Sequence, residues 1–234
     1  MVMYTTPQIG PEEPCPYLPE KTSNMQFFFA AELDAHELEL FLCGGWRKFG
    51  YYYFRPVCRN CTSCISVRIP VDTFSLSKNQ TRVLRRNSDI TVKFSDDNPL
   101  QEEMFTLFRE HSRFRFQRDI SIEEYEANFC VRSCPSLISK YYLGNKLSAL
   151  GYLDISSDSL SSVYFVYTEE FICRSPGIFS ILKEIDYAKQ IGLKYYYLGY
   201  LVEGNSRMQY KGTFYPYERR HESSGEWSLV KKCL

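Results

Sequence analysis

The chain has 234 residues, 44% of them hydrophobic and 24% charged, and its 28 Lys plus Arg balance 28 Asp plus Glu. That length suits one large domain or two small ones and allows burial of roughly 70% of the unfolded surface, and the composition excludes disorder as the main state. No apolar run approaches the roughly 18 residues needed to span a bilayer, and a net charge of zero, taken whole, weighs against a polyanionic partner.

The lead MVMYTTPQIGPEEPCPYLP carries Pro and Glu instead of a basic and then apolar stretch, so it does not read as an export signal, and a cytoplasmic protein is expected. QFFFA (26–30) predicts a strand. ELDAHELELFLCGG predicts a helix with Asp34 as N-cap, Glu37 three residues later and Gly44-Gly45 closing it. YYYFR and SVRIPV are β-rich segments flanking the cysteine cluster CRNCTSC. SLSKNQTRVLRRN reads as a short helix capped by Ser75 or Ser77, with Arg82, Arg85 and Arg86 on one face at i, i+3 and i+4. The polar stretch SDDNP ends this unit near residue 95.

Beyond it, PLQEEMFTLFREHSRF and SIEEYEANF predict two helices, the second opened by Ser121 with Glu124 as its capping box. LISKYYL, a Gly144-Asn145 turn, LSALGYLDI and SSVYFVY predict three successive strands. PGIFSILKEIDYAKQIG follows as an amphipathic helix, with Pro176 in its first turn, Ile178, Ile181, Leu182, Ile185 and Ala188 as its apolar stripe, and Gly192 as its stop. KYYYLGY is the next strand. The fold class expected is α/β (α+β): a mixed α/β unit bearing the cysteine cluster at 1–95, and a domain with a mixed sheet at 96–234.

Charge is uneven along the chain. Residues 44–94 hold ten cations, including Arg47, Lys48, Arg55, Arg68, Arg82, Arg85 and Arg86, against only Asp72 and Asp89. Two readings are open, a solvated face and a surface for a polyanion, because phosphate contacts act locally whatever the total charge. Aromatics interleave with the cations in GWRKFGYYYFRP, where Trp46, Phe49 and Tyr51 to Phe54 offer either stacking faces for unpaired bases or alternate core positions of a strand.

Nine cysteines without an export signal read as thiols or metal ligands. Two consecutive C-x-x-C steps at Cys58, Cys61 and Cys64, with Cys15 or Cys43 as a fourth ligand, are a candidate zinc or iron–sulfur site. With only His36, His111 and His221, and no G-x-S-x-G, H-E-x-x-H or P-loop, chemistry that needs a strong general base is poorly supplied. Transfer from an already activated acyl donor fits that limit. Arg174, Ser175 and Gly177 stand at a helix entry suited to an anion. Tyr200, Glu203, Asn205, Arg207, Tyr210 and Lys211 follow a strand end, where open α/β sheets hold ligands.

Together CPYLPEK (15–21), GGWRKFGYYYFRPVCRNCTSCISVRIPVD (44–72), RVLRRN (82–87), SSVYFVY with CRSPGIFSIL, and YYYLGYLVEGNSRMQYKGTFYP (195–216) resemble, in order, the signature blocks of the aminoacyl-tRNA–protein transferases of the N-degron pathway. The resemblance implies a carboxyl-terminal half of the GCN5-related N-acetyltransferase fold, and transfer of an amino acid from tRNA to the α-amine of an N-terminal Asp or Glu. Acetyltransferases of that fold carry R-x-x-G-x-G/A for coenzyme A. Arg174 to Phe179 reads R-S-P-G-I-F, so the resemblance implies a tRNA-borne donor and no coenzyme A.

The compact length and the CPYLP block are similar to the bacterial branch, which implies leucyl-tRNA as donor. The arginyl-transferring branch is longer and has two adjacent cysteines where this chain has Cys58-Arg59. An arginine donor would want a carboxylate such as Asp154 or Glu203. The expected roles are Tyr200 and Glu203 for the amine and its proton, Arg207 or Lys211 with Tyr210 for the acceptor's acidic side chain, and Arg47, Lys48, Arg82, Arg85, Arg86, Arg174, Ser175 and Gly177 for the tRNA. Two rival readings are a non-catalytic metal-containing RNA-binding protein and a small-molecule acetyltransferase.

Overall fold

The computed structural model describes residues 2–232 apart from Tyr4, and so leaves Cys233 outside the described residues. In the first part of the chain the strands are β1 (Val2–Met3), β2 (Gln8–Ile9), β3 (Glu13–Pro14), β4 (Thr22–Ser23), β5 (Met25–Glu32), β6 (Arg47–Phe49), β7 (Tyr52–Pro56), β8 (Cys64–Pro70) and β9 (Ile90–Ser95), with helices α1 (Ala35–Cys43) and α2 (Lys78–Arg86). The remainder adds α3 (Glu102–Phe116), α4 (Ile122–Tyr125), β10 (Ser136–Leu143), β11 (Lys146–Ile155), β12 (Ser159–Tyr167), α5 (Pro176–Gln190), β13 (Tyr195–Val202), α6 (Ser206–Gln209), β14 (Tyr217–Arg220) and β15 (Trp227–Val230).

Both early helices start where their caps dictate. Asp34 accepts the His36 and Glu37 N–H groups at 2.8 Å each, and Glu37 accepts the Asp34 N–H in return. Ser77, not Ser75, caps α2, in a reciprocal box with Gln80. After α4 the helix widens into a π turn at Glu126–Cys130. That turn lies so close to Gly50 that a Cβ there would collide with the Ala127 carbonyl, and the Gly50 N–H donates to Asn128 O at 2.9 Å.

Eight strands form one mixed sheet in the order β15-β14-β8-β13-β12-β11-β10-β9. Among the described residues of this sheet only β12 and β13 run parallel, as the strand-helix-strand order through α5 requires. Ile181, Leu182, Ile185 and Ala188 of α5 pack on Val67, Ile69, Leu160 and Tyr196 of the sheet, which is the mixed α/β architecture expected. The division at residue 95 does not separate two sheets. β8 lies between β13 and β14, and β9 closes the far edge against β10. Ile65, Val67 and Ile69 of β8 alternate onto one face of this sheet and are all buried in the core shared with α5.

A smaller sheet, β1-β5-β7-β6 with β2 also on β5, packs against α1. Much of the aromatic surplus fills its core: Phe28 stacks on Tyr53 at 5.0 Å and meets Trp46 edge-on at 4.9 Å. Trp46 and Tyr53 are therefore core residues and not platforms for bases, while Tyr51 is exposed. No helix among the described residues is long and apolar enough to cross a membrane.

Candidate functional site

The parallel pairing of β12 with β13 lasts only from Ser159–Tyr195 to Ser161–Tyr197, although both strands run on. The register of β13 slips against β8 between Tyr197 and Gly199, a bulge of the kind a glycine inside a strand marks. Arg47 reaches into the opening between the two strands, where its guanidinium donates to Ser161 Oγ at 2.9 Å and to the Ser162 carbonyl. Lys211 donates to the Tyr200 carbonyl at 3.0 Å.

Gly199 supplies the backbone turn at this point. Its φ of +80° lies in the left-handed range, and a Cβ there would stand 3.5 Å from Arg47 Nε and 3.6 Å from Lys211 Nζ. Among the described residues no carboxylate lies within ion-pair distance of either cation. Burial first, and the Arg47 charge second, push Lys211 down to about 7. Burial lowers Arg47 too, partly offset by Tyr200 and Asp154. Two desolvated cations, neither ion-paired to a carboxylate among the described residues, are an arrangement whose chemistry suits a carboxylate or an oxyanion.

The other residues expected around this strand end are less concentrated. The Tyr200 hydroxyl is buried and donates to Gly45 O at 2.8 Å, so it fixes the turn after α1 and is not free to meet an amine. Glu203 is exposed, 3.9 Å from Arg219. Arg207 is exposed on α6, and its N–H is accepted by the capping Asn205 at 3.0 Å. Tyr210 is half-buried, and burial pushes it up to about 12. Asn205 also donates to Tyr17 O at 2.8 Å, which ties the CPYLP segment to this loop.

Of the residues expected at tRNA, Lys48 requires correction. It is buried 3.1 Å from Asp154, and although burial opposes its charge, Asp154 and then the Cys134 thiol raise its pKa. A strand of alternating direction puts Arg47 and Lys48 on opposite sides, which their adjacency in sequence hides. Arg82, Arg85 and Arg86 are all exposed on α2, as the helical spacing requires. Arg86 also donates to Cys173 O at 3.0 Å. Arg174 is engaged by Asp89 through two hydrogen bonds of 2.7 and 3.0 Å, so it locks the helix entry to α2 instead of standing free. Ser175 is left-handed, with φ +57° and no side-chain capping bond, and Gly177 opens onto empty space.

Cys15, Cys58, Cys61 and Cys64 line one cavity, together with Tyr17 and Glu222. Burial and then the thiols of Cys58, Cys15 and Cys61 push Cys64 up to about 12, whereas hydrogen bonds from Ser63, with Lys21 behind them, lower Cys61. Mutual repulsion of that kind is what a bound cation relieves. As the side chains stand, however, no group of three or more potential ligands among the described residues is arranged to hold a metal ion.

Sequence reasoning missed Arg220, which lies in no patterned motif, and Glu184, which lies outside the apolar stripe named for its helix yet is buried. His111 is no candidate: burial lowers it to about 4, and its ring nitrogen lies 3.0 Å from Tyr167 O.

Known proteins share these segments. Residues 13–82 match the family model described as arginine-tRNA-protein transferase, N terminus, and residues 103–221 match its C terminus. A protein of Leptospira interrogans named aspartate/glutamate leucyltransferase is 37% identical, covering 93% of this chain and 88% of its own length. Proteins of the same name from Campylobacter jejuni and Pseudoalteromonas atlantica are 32% and 33% identical, covering 88% and 94% of this chain and 89% and 95% of their own. The solved structure of FemX superposes with a TM-score of 0.52 at 11% identity, covering 83% of this chain and 66% of that one, and supports the fold. With both halves matched in order and the Arg47–Lys211 opening spanning them, the chain belongs to the aminoacyl-tRNA–protein transferase family and is an aminoacyltransferase.

Proposed function

We propose that this enzyme transfers leucine from leucyl-tRNA to the N-terminal Asp or Glu of acceptor proteins and so marks them for N-degron proteolysis. The observation that carries the acceptor side is the cation pair Arg47 and Lys211 at the Gly199 bulge, neither of them ion-paired to a carboxylate among the described residues. The acceptor's acidic side chain pairs with these two groups, which selects Asp and Glu over their amides. Its α-amine, with an ordinary pKa of about 8, is neutral in appreciable fraction near neutral pH. That amine attacks the ester carbonyl, the bond from the acyl carbon to the ribose oxygen breaks, and the proton lost by the amine ends on the ribose oxygen. Alignment and oxyanion stabilisation supply most of the acceleration, since the ester is already activated. Tyr200 acts here as a positioning residue, through Gly45 and through its own carbonyl on Lys211.

An aminoacyl-tRNA donor sets the reaction in the cytoplasm. Labelled leucyl-tRNA and arginyl-tRNA, each offered with peptides beginning in Asp, Glu or Asn, test the reading. Leucine transfer to the two acidic peptides is expected, and exclusive arginylation overturns the donor assignment. For the cysteines, four thiols around one cavity support a structural zinc or iron–sulfur cluster. Metal analysis of protein purified without oxygen, against Cys58→Ala, decides that point.

A further inference from the structure

Beside the acceptor pocket, two guanidinium groups are held together at the Gly44–Gly45 turn. Arg55 of β7 is fixed on three sides: Nε donates to Gln26 Oε1 at 2.9 Å, Nη1 donates to Gly44 O at 3.1 Å, and its guanidinium carbon lies 4.8 Å from the centre of the Trp46 ring. Arg220, at the end of β14, reaches the same turn. A Cβ on Gly45 would stand 3.5 Å from Arg220 Cδ and 3.7 Å from its Nη1, and one on Gly225 would stand 3.2 Å from its Nη2. The Arg220 Nε is buried and has no hydrogen-bond partner.

Among the described residues, neither guanidinium has a carboxylate within ion-pair distance. Burial first and the Arg220 charge second lower Arg55, with Tyr200 and Glu222 acting in the opposite sense. Like charges kept adjacent around an unmet buried donor are unfavourable unless an anion shares them. Planar guanidinium edges match phosphate oxygens in particular. The Tyr200 hydroxyl, which holds Gly45 in place, is acted on by both Arg47 and Arg55, so this pair adjoins the Arg47–Lys211 opening.

We infer that Arg55 and Arg220 bind a backbone phosphodiester of the donor tRNA close to its aminoacylated end and hold the ester beside the acceptor pocket. This rests on the reading that aminoacyl-tRNA is the donor. Exposed Glu222 competes weakly for the same cations.

The test measures binding of uncharged tRNA to the full chain across a salt series, for wild type, Arg55→Gln, Arg220→Gln and Glu222→Gln, alongside leucine transfer. Each arginine variant is expected to weaken tRNA binding roughly five- to twentyfold and to reduce the slope of log K against log salt by about one, the share of a single phosphate partner. The acceptor KM at saturating tRNA stays unchanged. Glu222→Gln, at a surface position, is expected to tighten binding, which keeps the test decisive should an arginine variant fail to fold. Inorganic phosphate is expected to compete with tRNA at millimolar concentration; micromolar phosphate binding without effect on tRNA would make this a free-anion site and overturn the inference. Wild type that binds tRNA with these slopes but transfers nothing refutes the donor reading and leaves the phosphate site standing. Wild type that transfers leucine while all three variants keep its affinity and slope refutes the phosphate site.

Discussion

Arg47 Nε and Lys211 Nζ converge on Gly199, at 3.5 and 3.6 Å from where its Cβ would stand. A methyl group fits at that point in ordinary contact with both cations but is strained at φ +80°, and relief of that strain shifts the bulge that positions them. Gly199→Ala should therefore lower kcat/KM for Asp-initiated peptides by at least about tenfold, since a displaced positioning group alone costs that much or more. Kinetics with tRNA held saturating check it. A variant with wild-type kcat/KM would detach the bulge from the acceptor site.

The Lys211 ammonium, pushed down to about 7, is charged below that pH and neutral above it. If it receives the acceptor carboxylate, kcat/KM for Asp peptides loses one factor as pH rises through about 7, a free-enzyme group acting on that constant. Lys211→Arg keeps its charge, and its profile should lack that loss. Linkage gives an independent readout. The folded state disfavours the protonated lysine, so Lys211→Met should be the more stable protein below about pH 7, and its advantage should fade as pH climbs toward the ordinary lysine range near 10.5. Coincident pH profiles for wild type and Lys211→Arg would remove Lys211 from acceptor binding.

Lys48 and Asp154 are 3.1 Å apart with both side chains almost wholly buried. Lys48→Met leaves Asp154 charged and unpaired, a change that costs about 3–5 kcal/mol in buried pairs. Lys48→Met combined with Asp154→Leu should recover most of that loss. Urea unfolding of the two variants checks this. A lysine that contacts tRNA would instead change the salt slope of binding and leave unfolding untouched.

Local signals carry far in this sequence. Asp34 with Glu37 and Ser77 with Gln80 fix their helix starts through bonds that span three residues, and the apolar stripe of α5 is a direct readout of which face meets the sheet. The insertion of β8 between β13 and β14 is not legible, because pairing between residues far apart in the chain leaves no periodic trace. The site divides the same way. Lys211 and Arg47 stand out as cations in dense motifs, but their meeting depends on a bulge at Gly199 and a strand opening that only the folded chain creates. Arg174 misleads for the same reason: its partner Asp89 is distant in the chain and meets it only in the folded molecule.

Helix α2 offers Arg82 and Arg85 to solvent on the face that the spacing prescribes. Arg82→Gln and Arg85→Gln should each reduce the salt slope of tRNA binding by about one and leave thermal stability within about 0.5 kcal/mol of wild type. Arg174→Gln should act differently, because it frees Asp89 and the carbonyl of Arg86 and loosens the packing of α2 on the entry to α5. Filter binding and thermal melts run together separate the two classes, and equal salt slopes for all three variants and wild type would return this face to simple solvation.

Glu184 of α5 is almost wholly inaccessible, yet it accepts hydrogen bonds from Ser139 at 3.0 Å, from Tyr141 at 3.1 Å and from the Tyr196 hydroxyl. Burial pushes its carboxyl up to about 7, although those three hydroxyls pull the other way. A carboxyl whose folded pKa exceeds its ordinary value of 4.5 contributes stability that is complete below 4.5 and is lost as pH rises through about 7. Wild type should thus lose stability between pH 5 and pH 8, by on the order of 2 kcal/mol, while Glu184→Gln, which cannot ionise, should be nearly flat over that interval. Gly151 sits where a Cβ would press on Ser139 Oγ and stand 2.8 Å from Glu184 Oε1, so Gly151→Ala should destabilise the protein by about 1–3 kcal/mol through overpacking alone and leave the pH slope in place. Parallel loss of stability in wild type and Glu184→Gln would assign the titration to another group.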